Sequence, residues 1–363
     1  MKDEIVKKHK EPFVRIAKRT DISPRRAWIV RIVAILLALF VGGVIISSLG
    51  HNPFSVYGEL LKGSLASPTA RRETIKTFVP LLGAAIAIAP AFKMKFWNIG
   101  AEGQILAGAI GASYFALFHS DIPHVPLLII MFIAAAVCGA IVGVIPALFK
   151  ARWETNETLF TLMLNYIILG IVKYLMNGPW KDPTSGFPKI AMFEASAKLP
   201  KVLGVHIGWI IVLVFAVLMF FYMTRSKQGY EIAVVGESEK TAKYAGMNVS
   251  KIIIRTMIIS GAIAGIIGFF SVAGANYTLN ENTAGGVGFT AITVAWLAKL
   301  NPFVMIGISF GLSILTKGSN TIQTAFKIPK SVAEIITGMI LLFILGCEFF
   351  INYRLVFRSR KGE

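Results

Sequence analysis

Residues 96–104 read Phe96-Trp97-Asn98-Ile99-Gly100-Ala101-Glu102-Gly103-Gln104 and stand between two apolar runs, near 75–92 and 103–118. An Asn, a Glu and a Gln among hydrophobic residues are costly unless they meet protein partners or a water-filled path. The stretch follows Lys93 and Lys95, so the break lies near the inner interface or re-enters from it. Gly100 and Gly103 allow the backbone to bend, and Glu102 falls in the first turn of the next helix, where negative charge is favoured. Two roles are open for Trp97, Asn98, Glu102 and Gln104. They cap helices and bond neighbouring spans, or they line the inner part of a translocation path.

The rest of the chain says which solvent surrounds that break. Of 363 residues, 55% are hydrophobic and only 15% are charged, against roughly 25% charged in a soluble domain. The apolar residues gather in runs able to cross a hydrocarbon core, which takes about 20 residues per helix. The reading is an all-α polytopic membrane protein with about ten transmembrane helices. They fall near 29–49, 75–92, 103–118, 126–149, 157–176, 208–223, 252–273, 287–299, 302–316 and 332–350. The runs at 287–299 and 302–316 are so closely spaced that they form a tight hairpin or a re-entrant pair. The Pro-rich stretch 177–207 is too polar to span and reads as an outer loop. Gly-interrupted hairpins around residues 96–104 and 274–289 run in opposite directions, as an inverted repeat would. Spacings at Gly139/Gly143, Gly261/Gly265 and Gly307/Gly311 suit close helix contact in lipid.

The net charge of +18 does not indicate nucleic acid. About 25 of the 37 Lys and Arg fall in segments assigned to the cytoplasm, as the positive-inside rule requires. Residues 1–28 form a basic segment, with Phe13, Ile16 and Ala17 at helical spacing, that reads as an amphipathic helix on anionic membrane lipid. The transmembrane domain follows at 29–350, and residues 351–363 make a basic tail. Both termini are then cytoplasmic. Cys138 and Cys347 lie in apolar runs and read as buried hydrophobes rather than a disulfide or metal pair. Glu348, near the end of the last span, snorkels or pairs with a cation such as Arg354.

The longest inner loop, 225–251, carries helix signals of its own. Ser238 can cap, Glu239 suits the first turn, and Gly246 supplies a left-handed stop. Ser250 can cap the next span. This is either a solvated connector or a coupling helix that docks on a soluble motor, with Ala242, Ala245 and Gly246 as its small-residue face. Within the spans, Asn165 must bond another helix or substrate, and its neighbour Tyr166 is weighed with it. Phe289 and Trp296 follow a Gly-rich break, where they either pack or stack on a flat ring. Most spans lack charge at depth, which suits a neutral solute bearing hydroxyls and a flat ring. No H-E-x-x-H or G-x-S-x-G pattern occurs, so an intramembrane enzyme is disfavoured. A secondary transporter would need a deep coupling carboxylate, for which Glu102 is the one serious candidate.

Residues 96–104, together with Gly229–Lys251 ("GYEIAVVGESEKTAKYAGMNVSK"), "GGVGFTAITVAWLAKLNP" at 285–302, Asn156-Glu157 and "TLMLNY" at 161–166, resemble the ABC-transporter permeases for branched-chain amino acids, ribose and nucleosides. The likeness is greatest to bacterial nucleoside and simple-sugar permeases, with Ser238 where Asn is common and Met247 where Ile is. It implies an importer subunit in the bacterial cell membrane, carrying nucleosides or, alternatively, a ribose-like sugar. It also implies a separate ATPase, a second homologous permease forming a heterodimer, and an extracytoplasmic substrate-binding lipoprotein. Gly236, Glu237, Ser238, Lys240, Thr241, Tyr244, Ala245, Gly246 and Met247 then fall in the ATPase-coupling loop. No G-x-x-x-x-G-K-[ST] loop occurs, so ATP hydrolysis belongs to a partner chain, and no cofactor or metal is expected here.

Overall fold

The computed structural model describes residues 14–18 and 23–357. The helices are α1 (Pro24–Ser48), α2 (Pro53–Leu65), α3 (Pro68–Lys93), α4 (Ala101–Phe118), α5 (His124–Trp153), α6 (Glu157–Asn177), α7 (Gly208–Arg225), α8 (Lys227–Glu237), α9 (Glu239–Tyr244), α10 (Val249–Phe269), α11 (Val287–Leu297), α12 (Pro302–Phe326) and α13 (Lys330–Asn352). Short strands β1 (Val14–Lys18), β2 (Lys201–Val202), β3 (Val205–His206) and β4 (Tyr353–Phe357) complete the described chain. Among the described residues, eight helices are long and apolar enough to cross a membrane: α1, α3, α5, α6, α7, α10 with its extension, α12 and α13. This is an all-α polytopic membrane protein. Each of the ten runs read from the sequence is helical, yet two, α4 and α11, are not among those eight. α11 has 11 residues and is about 16 Å long, roughly half of a hydrocarbon core. The expected span at 287–299 is therefore a half-helix, bounded by left-handed residues on both sides, Gly285 and Gly286 before it and Lys299 and Leu300 after it.

Two compact units form, residues 1–60 with 319–363, and residues 61–318. In the first, α1 packs on α13, and the Arg31 guanidinium donates to Glu348 at 2.6 Å. Glu348 thus pairs across two helices, where a charge among apolar neighbours is stabilised by the cation facing it. β1 runs antiparallel to β4, with Val14 opposite Phe357 and Lys18 opposite Tyr353. The helix expected within residues 1–28 is corrected at 14–18, where β-branched Val14 and Ile16 find a backbone partner in a strand-forming tail. Its Phe13 and the rest of 1–13, residues 19–22, and the tail beyond 357 lie outside the described residues. α2 was not anticipated, being only 13 residues long. Its Tyr57 hydroxyl donates to the Leu39 carbonyl of α1 at 2.7 Å, and Gly42 leaves room for that ring.

The second unit is built on α3, α4, α5 and α10. In lipid, helices gain little from hydrophobic association with one another, so close backbone approach carries the packing. A Cβ on Gly139 would strike the Gly261 carbonyl and Gly265, one on Gly265 would strike the Ala135 carbonyl, and one on Gly108 would strike Gly265. The Gly139/Gly143 and Gly261/Gly265 spacings are therefore two halves of one α5–α10 contact. At Gly307 and Gly311 an added Cβ would meet nothing within 4 Å, so among the described residues that spacing makes no close helix contact. α10 continues through wider π turns at Phe270–Asn276 before the chain breaks.

Candidate functional site

α3 ends at the same end of the unit as the 225–251 loop. Lys93 Nζ donates to the Met223 carbonyl at the end of α7 at 2.7 Å, and Gly236 of α8 lies against the Lys93 carbonyl. From there the chain turns back through residues 94–100 to start α4. Asn98 is fully buried. Its Oδ1 accepts from Gly100 N at 2.9 Å and Gln104 Nε2 at 3.2 Å. Its Nδ2 donates to Gln104 Oε1 at 3.3 Å and reaches Ser260 Oγ of α10 at 3.5 Å. α6 supplies the other half of the knot. Asn165 donates to the Ile99 carbonyl at 2.9 Å and accepts from Gly103 N at 2.8 Å, while Thr161 accepts from Ile99 N at 3.2 Å. The N–H groups of Ile99, Gly100 and Gly103 and the Ile99 carbonyl thus all have side-chain partners, which a buried helix end needs. Asn98, Gln104 and Asn165 are thus occupied in joining α3, α4, α6 and α10.

Glu102 joins this break to a second one. Its two carboxylate oxygens accept from Gly286 N and Gly288 N, each at 2.7 Å, at the N-terminus of the half-helix α11. That end of a helix carries unsatisfied N–H groups and partial positive charge, and the carboxylate neutralises both. The segment between the π turns and α11 is fixed at its far end by the loop ahead of α7. Phe193 N donates to Tyr277 O at 2.8 Å, and Thr278 donates to Ile190 O at 3.0 Å.

The aromatic candidates are arranged differently. Trp97 and Trp296 stack with centroids 5.5 Å apart and planes 20° apart, and Phe92 leans against both. The two indoles remain 42% and 44% exposed. Phe289 is exposed about two turns earlier on α11, and Tyr166 points away from the Asn165 knot with 67% of its surface free. The structure therefore brings Trp97 and Trp296 together, but leaves Phe289 and Tyr166 apart from the polar cluster.

In the 225–251 loop, α9 begins where Ser238 accepts from Thr241 N at 3.2 Å and stops at Gly246, whose φ is +76°. α8 precedes it, held on Ser226, which accepts from Gly229 N at 2.9 Å. Ala242 is buried, packed with Ile232 and Ile252, so it is not on an outward face. Gly236 is likewise buried, since a Cβ there would strike the Lys93 carbonyl. Glu237, Lys240, Thr241, Tyr244, Ala245 and Gly246 are exposed, while Ser238 and Met247 are half-buried. The next span is capped by Asn248, which accepts from Lys251 N at 3.0 Å. Ser250 instead turns toward the Ala151 carbonyl at 3.4 Å, because the cap position falls two residues earlier, directly after the left-handed turn.

Residues 73–345 match the family described as branched-chain amino acid transport system, permease component. The chain belongs to this ABC-transporter permease family. It is 32% identical over 363 aligned positions to the glucose ABC transporter permease protein of Haloferax volcanii, covering 94% of this chain and 95% of that protein. The guanosine ABC transporter permease protein of Bacillus subtilis is 32% identical, covering 92% of this chain and 97% of its own length. The nucleoside ABC transporter permease protein of Lactococcus lactis is 31% identical, covering 88% and 91%. The permease is a transport subunit of the plasma membrane rather than an enzyme, and an ATPase chain is its partner.

Sequence reasoning placed the permease's first break but missed several of its partners. Ser260 and Thr161 were visible only as polar residues on apolar helices. Gly286 and Gly288 belonged to a recognised break, yet nothing local names Glu102 as their acceptor. Lys150 and Glu157, 3.0 Å apart across the α5–α6 turn, escaped because neither charge looks exceptional near a helix end.

Proposed function

We propose that this permease forms half of the path for a neutral solute with a flat ring and hydroxyls, with nucleosides as the substrate class. The observation that carries the reading is the half-exposed Trp97–Trp296 stack beside a broken helix. Base–aromatic stacking contributes about 1–3 kcal/mol per ring. The half-helix also supports an uncharged cargo. Half-helix N-termini in transporters attract anionic substrate groups, whereas here Glu102 already occupies that end. Nucleoside and guanosine permeases are among the relatives. In the same reading the path is completed by a second homologous permease, an extracytoplasmic lipoprotein delivers the solute, and both termini are cytoplasmic. The β1–β4 pairing supports an even number of crossings, since it holds the two flanks of the chain side by side. α9 with exposed Lys240, Tyr244, Ala245 and Gly246 serves as the ATPase contact.

A sugar cargo is the second reading, favoured by the extended match to a glucose permease. Uptake of a radiolabelled nucleoside by cells with and without the gene separates the two, with ribose and leucine as competitors. Loss of uptake that ribose cannot compete is the expected result, and Trp296→Ala should weaken apparent affinity about ten-fold at unchanged protein level. Nucleoside uptake that survives deletion, with sugar uptake lost, transfers the assignment to the sugar.

A further inference from the structure

Beside α9 a recess of about 650 Å³ opens between the start of α8 and the start of α10. Its wall includes Lys227, Tyr230, Glu231, Gly246, Lys251 and Arg255. Three cations therefore face one carboxylate, and that carboxylate is taken. Arg255 donates to Glu231 at 2.9 Å, with the side chains 26% and 18% exposed. Arg255 also lies beside the half-buried Tyr222 hydroxyl. Lys227 and Lys251 are exposed, and neither is in an ion pair among the described residues. The floor beneath them is rigid, because Ile232, Ala242, Val249 and Ile252 pack as one buried cluster.

We infer that this recess receives an acidic segment of the ATPase subunit, whose carboxylates pair with Lys227 and Lys251 and approach Arg255. The inference rests on reading α9 as the ATPase contact. Two surplus ammonium groups on a rigid rim complement negative charge, and the recess has room for several side chains, far more than one small anion fills. It opens beside exposed Ala245 and Gly246 at the end of α9, so a chain docked on α9 would reach it. Salt-screened pairs of this kind govern encounter and register more than raw affinity.

The test uses the whole transporter, co-expressed and extracted in mild detergent. Wild-type ATPase retention should fall as salt rises. The double variant Lys227→Glu, Lys251→Glu should retain the ATPase roughly ten-fold less well at low salt and lose the salt dependence. Lys227→Arg, Lys251→Arg should behave as wild type, and an unchanged melting temperature of each variant separates docking from folding. If Gly246→Val abolishes retention while the double charge reversal leaves it intact, the recess has no such role and the α9 reading stands. If neither change matters, both fail. If the reversal removes co-purifying anionic phospholipid and spares the ATPase, the recess is a lipid site and the inference is overturned.

Discussion

The two breaks of the larger unit are held in opposite ways. Residues 94–100 are tied by side chains from several helices, with Asn98, Thr161, Asn165 and Gln104 meeting one another or the backbone. Residues 277–286 are gripped at their two ends, by Glu102 at α11 and by the loop ahead of α7 at Tyr277 and Thr278. The first break is a joint of the scaffold, with its polar groups turned inward and used up. The second is a strap with two fasteners. The amides of Asn98 and Gln104 are turned into that joint, and Glu102 reaches the start of α11.

The harshest way to break the comparison is to cut the first knot. Asn98→Leu leaves Gly100 N and the Gln104 amide without their acceptor and donor. Each buried group so stranded costs about 1–3 kcal/mol. A loss of about 4 kcal/mol is expected, and it should appear as a collapse in folded protein recovered from membranes and in melting temperature. Asn165→Leu should behave alike, with uptake and protein level falling together. Uptake lost at full protein level would instead make these amides part of the path.

Much of the first break was legible because its chemistry is local. A polar cluster within nine positions, set between apolar runs, can only be a buried joint or a path, and Gly100 and Gly103 mark the bend. The α9 boundaries were legible for the same reason, since Ser238 and Gly246 satisfy rules written over a few residues. The second break was legible only as a break. Its holding contact spans 184 residues, from Glu102 to Gly286, and no periodicity reports a contact of that kind. The inward turn of Ala242 was equally hidden. A small residue on a six-residue helix suits either face, and the choice is made by Ile232 and Ile252. α2 stayed invisible because thirteen mixed residues look like a connector until Tyr57 reaches α1.

The π turns ahead of the strap pack on a group that acid can charge. His206 of β3 is only 2% exposed, and its ring is pressed by Gly274 of the π turns and tilted against Phe270, 6.3 Å away. Burial, helped by the nearby Lys76 ammonium, lowers its pKa from 6.5 to about 4. The folded chain thus refuses a proton that the unfolded chain accepts. Stability from neutral His206 is full above pH 6.5 and declines as pH falls toward 4, where the loss reaches about 3 kcal/mol. Melting temperatures measured between pH 7 and pH 4.5 should fall in the wild type and fall less in His206→Phe. Equal slopes in both proteins would remove His206 from the account.

The Glu102 fastener gives the smallest effect and the sharpest contrast. Glu102→Gln keeps the shape of the side chain but can offer only one acceptor oxygen to the two N–H groups of Gly286 and Gly288. The amide nitrogen would then face a donor, and the charge that complements the start of α11 is gone. A cost of about 2 kcal/mol follows from losing a charge-assisted bond. Spent on local opening, this raises the exchange of the Gly286 and Gly288 amides roughly thirty-fold, since each 1.4 kcal/mol is a factor of about ten. The amides of Gly100 and Gly103 should exchange as before, because their acceptors are Asn98 and Asn165. If both breaks loosen together, Glu102 belongs to the same rigid joint as Asn98, and the strap has no independent motion. If only the second loosens, the half-helix moves on its own hinge, and Glu102 sets how readily it does so.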